Sequence, residues 1–390
     1  MPLSSSVISR RGHNAQVSER GQPITLALQG GGSLGAFAWG VLERLLDVPS
    51  LRMEVVSGAS AGAMNAALLV QGLATGGPAE AKRLLETFWR RVAVASGSPD
   101  IAAAAGWLFP FAGIMEPMAD ILRQTTKGMA QSQLNPLGLN PLRSVLEDLF
   151  DPSVLGRDGV PSLVVSATRV STGEARLFRD AEVTLDVLLA SSCLPQLFPA
   201  VQIDGDFYWD GGFASNPPLR ALIEAGAPAD IVLVRTTPVE RPGLPTSAAA
   251  VLERTEEMTF GAALRQELRS LALAQRVLAD LPSASGVLAR LRDARLHVIG
   301  AEEEFRALKT GSHQDPSWAF LQQMRELGQQ ASVRWLATDL VEVGVRSTID
   351  LADFAGPTLD LSLRHQSIAS SEPASLAETR STRRKASAVQ

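Results

Sequence analysis

Between Ile24 and Gly62 the chain runs through one local plan twice, and that repetition limits what it can fold into. ITLALQ, a mostly apolar run, breaks at Gly30-Gly31-Gly32 and re-emerges as the helical pattern GAFAWGVLERLL. MEVVS breaks at Gly58-Ala59-Ser60-Ala61-Gly62 and re-emerges as AMNAALLV. Short apolar runs bounded by small-residue turns read as strands buried on both faces, the pattern of a parallel sheet with helical crossovers. The expected class is therefore α/β.

The two turns also suggest chemistry. Gly58-Ala59-Ser60-Ala61-Gly62 is a G-x-S-x-G, in which a sharp strand-to-helix corner lifts the serine hydroxyl clear of the sheet. Flanking glycines keep side chains away from the bend and from an approaching acyl group. The earlier turn offers the complement: Gly30, Gly31 and Gly32 can present backbone N–H groups to a developing oxyanion with no Cβ in the way. Gly30, Gly32 and Gly35 also spell G-x-G-x-x-G after a strand, the form of a dinucleotide loop. That reading lacks its usual acidic residue, because Ser57 and Gly58 end the next strand.

A nucleophilic serine needs a base. Of the four histidines, His13 and His365 fall in expected tails, His297 sits inside an apolar strand, and His313 follows it in a polar stretch. Ser60, then Asp210 or Asp230, then His297 or His313 satisfies the chain order of a Ser-Asp-His hydrolase. Asp210 alone is the more economical base. It ends a strand, follows Trp209 and precedes two glycines that admit another backbone, and partial desolvation would raise its basicity. Asp204 and Asp206 read as ordinary hairpin residues.

Composition narrows the remaining classes. The chain has 390 residues, 45% of them hydrophobic, enough for a sizeable core. Its 36 basic and 41 acidic side chains leave a net charge of −5, with no overall attraction for nucleic acid. Aromatics make up only 5%, too few to suggest a base-stacking surface. Cys193 is the single cysteine, which removes intrachain disulfides and a cysteine zinc site. No metal or other cofactor is expected. No apolar run approaches the roughly 18 to 20 residues that span a bilayer, so the expected location is cytoplasmic, with peripheral contact at a membrane or lipid-droplet surface left open.

Along the chain, 1–22 reads as a disordered lead and 362–390 as a disordered tail. A catalytic domain is expected over 23–300 and a helical extension over 301–361. Strand patterns recur at Pro161–Thr168, Glu174–Arg179, Val201–Trp209, Ala229–Arg235 and Arg295–Gly300. Helical patterns cover 80–94, 141–149, 185–192, 247–281 and 318–343, with Gly328 as a weak point in the last and Asn216 as a cap before another. An insertion near 97–140 mixes bulky apolar residues with Gly and Pro. It is either core packing or a cap that presents Trp107, Leu108, Phe109, Phe111, Ile114 and Met115 to an acyl chain.

Taken together, three ordered motifs resemble the patatin-like phospholipases, a family of lipid acyl hydrolases. They are Gly30-Gly31-Gly32-Ser33-Leu34-Gly35, Gly58-Ala59-Ser60-Ala61-Gly62 and Asp210-Gly211-Gly212. Ala190-Ser191-Ser192-Cys193-Leu194-Pro195 and Asn216-Pro217 are similar to further family segments, so the resemblance covers roughly Ile24 to Val234. It implies a three-layer α/β/α fold around a mixed, mainly parallel sheet. It also implies a Ser60–Asp210 dyad acting on lipid esters through an acyl-enzyme, with Gly30, Gly31, Gly32 and Ser33 forming the oxyanion hole. Many members carry a basic residue just after the three glycines, whereas Ser33 and Leu34 stand here. The other readings are a Ser-Asp-His esterase and a non-catalytic lipid-binding or scaffold protein. Oligomeric state has no sequence signal.

Overall fold

The computed structural model describes residues 21–96 and 140–354. Residues Trp107 to Met115, and with them the candidate acyl contacts, lie outside the described residues, as do most of the expected lead and the expected tail.

The repeated plan forms as read. β1 (Gln22–Leu28) leads through the glycine turn and a 3-10 turn (Gly32–Leu34) into α1 (Gly35–Leu45), and β2 (Leu51–Gly58) leads through Ser60 into α2 (Ala61–Ala95). α2 is one helical stretch bent at Gly77-Pro78, where Gly77 takes φ 71°, so the two expected helices meet at a kink. Its first part is buried from Ala61 to Gly72, as its apolar composition requires. Buried Asn65 is satisfied by donating to the Gly35 carbonyl and accepting from Trp89 Nε1.

The rest of the chain adds α3 (Pro141–Glu147), β3 (Ser162–Arg169), β4 (Ala175–Arg179), α4 (Leu185–Ser191), β5 (Val201–Ile203) and β6 (Asp206–Asp210). Then follow α5 (Leu219–Ala225), β7 (Asp230–Val234), α6 (Ala248–Leu278), α7 (Gly286–Asp293), β8 (Arg295–Ile299), α8 (Glu302–Arg306) and α9 (Trp318–Thr338). The sheet runs β5-β6-β3-β2-β1-β7-β8, with β4 also on β3. Pairs from β3 through β8 across the centre are parallel, and those involving β4, β5 and β6 are antiparallel. The fold is α/β with a mixed, mainly parallel sheet between helical layers.

Side-chain alternation explains the layers. Leu26, Leu28, Val232 and Val234 face a core shared with α1, α2 and α9, whereas Ala27, Ile231 and Leu233 face one shared with α5 and α6. α9 packs closely on α1, and Gly328 is a contact rather than a weak point. A Cβ there would run into the Phe37 carbonyl, and one at Gly40 into the Arg325 carbonyl. Two glycines thus let the helix backbones touch. Glu43 is buried in this seam and takes Arg325, Gln329 and Trp39 Nε1.

One register detail positions the site. β4 pairs with β3 over Val164–Thr168, which fills one edge, so β2 and β6 share the other. β2 leaves that edge at Gly58, opposite Val165, and β6 arrives with Asp210 opposite Ala167. The serine corner and the aspartate are therefore consecutive occupants of one strand edge.

Candidate active site

Ser60 caps α2 with φ 53° and ψ −127°, a left-handed conformation that a non-glycine residue adopts only under constraint. The constraint is visible: its N–H donates to Ser191 Oγ at 3.0 Å, and its carbonyl accepts from Ala63 and Met64. Gly58 and Gly62 let strand and helix close on each other at the corner, since a Cβ on Gly58 would strike Gly62. Ser60 itself stays half-exposed.

Asp210 is only 1% exposed. Its N–H donates to the Cys193 carbonyl at 2.8 Å, its carbonyl accepts from Thr168 Oγ1 at 2.7 Å, and its Oδ1 accepts the Gly212 N–H at 2.8 Å. Phe260 of α6 covers Gly212 and stacks on Phe213 at 4.7 Å between ring centroids. Burial pushes the Asp210 carboxyl up to about 7, against hydrogen bonds from the Ser60 side chain and the Gly212 N–H that favour its charged form. Cys193 beside it is raised to about 12 by burial and then by the Asp210 charge, so this thiol remains protonated.

The glycine turn abuts the corner. A Cβ on Gly30 would lie 2.6 Å from the Ala59 carbonyl oxygen and 2.8 Å from Ser60 Cβ, so only glycine admits this approach. The Gly30 N–H donates to Asn216 Oδ1 at 2.7 Å, and its carbonyl accepts from Thr236 Oγ1 at 3.0 Å. Gly30 thus brings the loop close while its own amide is engaged. Gly32 takes φ 58° and is exposed; neither its N–H nor that of Gly31 is taken up by another described residue. Ser33 begins the climb into α1, half-buried.

Four supporting residues escaped sequence reasoning. Ser191 lay in a flagged small-residue segment, but nothing showed that its hydroxyl holds the Ser60 amide. Asn216 was read as a helix cap; the helix instead starts at Leu219, and the Asn216 side chain serves Gly30. Gln29, fully buried, takes the Thr236 N–H at 2.9 Å, and with Thr236 fixes the loop to the end of β7. No local signal marks either one.

The histidines stand elsewhere in chemistry. His297 is fully buried with Nε2 3.1 Å from Asp230 Oδ1 and its ring edge-on to Trp335. Burial works against the Asp230 charge, yet Arg295, His297 and the Gly344 N–H hold that carboxyl well below the usual range. This is a structural network between β7 and the edge strand β8. The His313 ring faces Glu253 and Glu256 of α6. His13 and His365 lie outside the described residues.

A family model described as "Patatin-like phospholipase" matches residues 26–223, which include the serine corner, the glycine turn and the aspartate turn. The chain belongs to the patatin-like phospholipase family. As a family member it is a lipid acyl hydrolase, and the remainder after residue 223, including α6 and α9, extends beyond the matched region. No curated protein matches this patatin-like chain. Among solved structures it is similar to VipD from Legionella pneumophila, at 15% identity and a TM-score of 0.37, over 82% of this chain and 67% of that one. Among the described residues no helix is long and apolar enough to cross a membrane.

Proposed function

We propose that this chain cleaves carboxylic esters of phospholipids or related lipids through a Ser60–Asp210 dyad and an acyl-enzyme, reaching them at a membrane or lipid-droplet surface. One observation supports the reading: a serine on a strained corner and a buried carboxylate to which its side chain hydrogen-bonds arrive along the same edge of β3, with a glycine turn pressed against the serine corner.

Asp210 accepts the Ser60 proton as Oγ attacks the ester carbonyl. The N–H groups of Gly31, Gly32 and Ser33 stabilise the tetrahedral oxygen, each such donor being worth about 2.7–4 kcal/mol in comparable sites. The C–O bond to the alcohol breaks, and the alcohol takes the proton from Asp210. Water then adds to the acyl-enzyme with Asp210 again as base, releasing the fatty acid and restoring Ser60. A pKa near 7 suits this exchange, because the same group must take and return a proton near neutrality. Positive partial charge at the start of α2 favours the developing oxyanion.

Hydrolysis of p-nitrophenyl esters and phosphatidylcholine by wild type, S60A and D210N tests the reading, alongside fluorophosphonate labelling. Loss of about a thousandfold or more in both variants, with labelling abolished in S60A, is expected. Wild-type turnover by S60A would end it. Lipid binding without labelling at Ser60 would favour the scaffold reading instead.

A further inference from the structure

His313 enters no step above, yet it sits behind the glycine turn. The 3-10 turn Ser312–Gln314 packs on the 3-10 turn Gly32–Leu34, and a Cβ on Gly32 would lie 2.5 Å from the His313 carbonyl oxygen. The His313 backbone is therefore the wall against which Gly32, with φ 58°, is seated. What fixes that wall is its own side chain. Nε2 lies 3.1 Å from Glu256 Oε2 and Nδ1 lies 3.4 Å from Glu253 Oε1, while the Gly311 N–H donates to Glu253 Oε2 at 3.0 Å.

An ionised carboxylate is an acceptor only, and a neutral imidazole has one donor. Facing a carboxylate on each ring nitrogen, His313 serves both only as imidazolium. Resting on the catalytic reading above, we propose that His313 is a positioning residue for ester hydrolysis: its imidazolium, clamped between Glu253 and Glu256 of α6, holds the turn that seats Gly32 of the oxyanion hole. Charged groups facing it are these two glutamates; the glycine turn contributes none. Burial pulls the imidazole pKa down, but the hydrogen bonds and charges of Glu256 and Glu253 outweigh it and raise the group above its ordinary value.

This assigns α6, which lies beyond the family-matched region, a part in the reaction. With the imidazolium present the oxyanion donors are held. As pH rises through the elevated His313 pKa, one donor is lost, the clamp opens on one side, and kcat falls with KM unchanged. The activity profile thus gains an alkaline limb distinct from the acid limb of Asp210.

The experiment measures kcat and KM for p-nitrophenyl butyrate from pH 5.5 to 9.5 in wild type, H313Q, H313R and the E253Q/E256Q double variant, with S60A in parallel and folding checked by circular dichroism. H313Q is expected to lose about tenfold or more in kcat with KM within twofold, and to lose the alkaline limb. H313R, which keeps a permanent cation between the glutamates, should retain kcat and hold it to higher pH. The double variant keeps the imidazole and should resemble H313Q, which preserves the test if H313Q does not fold. A kcat for H313Q within twofold of wild type across the range, or an alkaline limb unchanged in H313Q, overturns the proposal. S60A separates the two readings: if S60A is inactive while H313Q is normal, only this inference falls, whereas an active S60A removes the dyad itself.

Discussion

Asn216 Oδ1 accepts the Gly30 N–H at 2.7 Å, so the segment that follows Asp210 and the first glycine of the glycine turn are one buried unit. Ser166 Oγ extends it by donating to the Ser215 carbonyl at 3.0 Å. The two motifs are far apart in sequence but share one rigid support.

Replacing that acceptor tests the support. N216A strands a buried N–H, at a cost of about 1–3 kcal/mol, and frees the turn that carries Gly31 and Gly32. We expect a lowered Tm and a fall in kcat larger than any change in KM, measured by thermal unfolding and steady-state hydrolysis.

Asp210 links activity to pH and to stability with opposite signs. As the proposed base it must be ionised, so kcat/KM should rise with pH through about 7. Its folded pKa lies above its unfolded value of 3.8, so the folded state binds more protons between the two. Stability therefore falls as pH rises from about 4 to about 7 and stays reduced above. D210N removes the buried charge and keeps an acceptor for the Gly212 N–H. At pH 8 it should unfold at a higher temperature than wild type, by an amount worth about 4 kcal/mol at most, while losing activity.

Ser191 holds Ser60 in its positive-φ corner. In S191A the Ser60 amide loses its acceptor and the corner relaxes. A drop of about tenfold in the rate of fluorophosphonate labelling, with secondary structure intact, is expected. An unchanged labelling rate would show that the corner is held without it.

His297 should behave as a structural residue. H297A leaves Asp230 with one partner fewer in a buried network and should lower Tm by several degrees. Its kcat should stay within about twofold of wild type once folded. A selective loss of kcat would revive a Ser-Asp-His mechanism.

Gly328 and Gly40 make the sharpest packing test. G328V pushes a branched side chain into the Phe37 carbonyl across the α1–α9 seam, where only backbone can yield. Overpacking of about 1–3 kcal/mol or more should appear as lost soluble yield and lower Tm. The isosteric surface change Q330E on α9 should not.

What lay in the sequence was local. Apolar runs, small-residue corners and the Asp204-Gly205 hairpin turn fix strands and turns within a few residues of themselves, because sterics and burial of a single segment decide them. So the paired strand–turn–helix units, the hairpin before Asp210 and the two helical segments that meet in α2 were readable, as was the candidacy of Ser60 and Asp210. The tertiary structure alone decided what those residues meet. Only β3 pairing places Asp210 at the edge that β2 vacates, and only chain closure sends Asn216 to Gly30, Ser191 to Ser60 and the His313 carbonyl to Gly32. Gly328 looked like a helix breaker because its partner, the backbone of α1, is distant in sequence. Contacts of that kind depend on register and helix approach, which many segments set jointly and no window of residues contains.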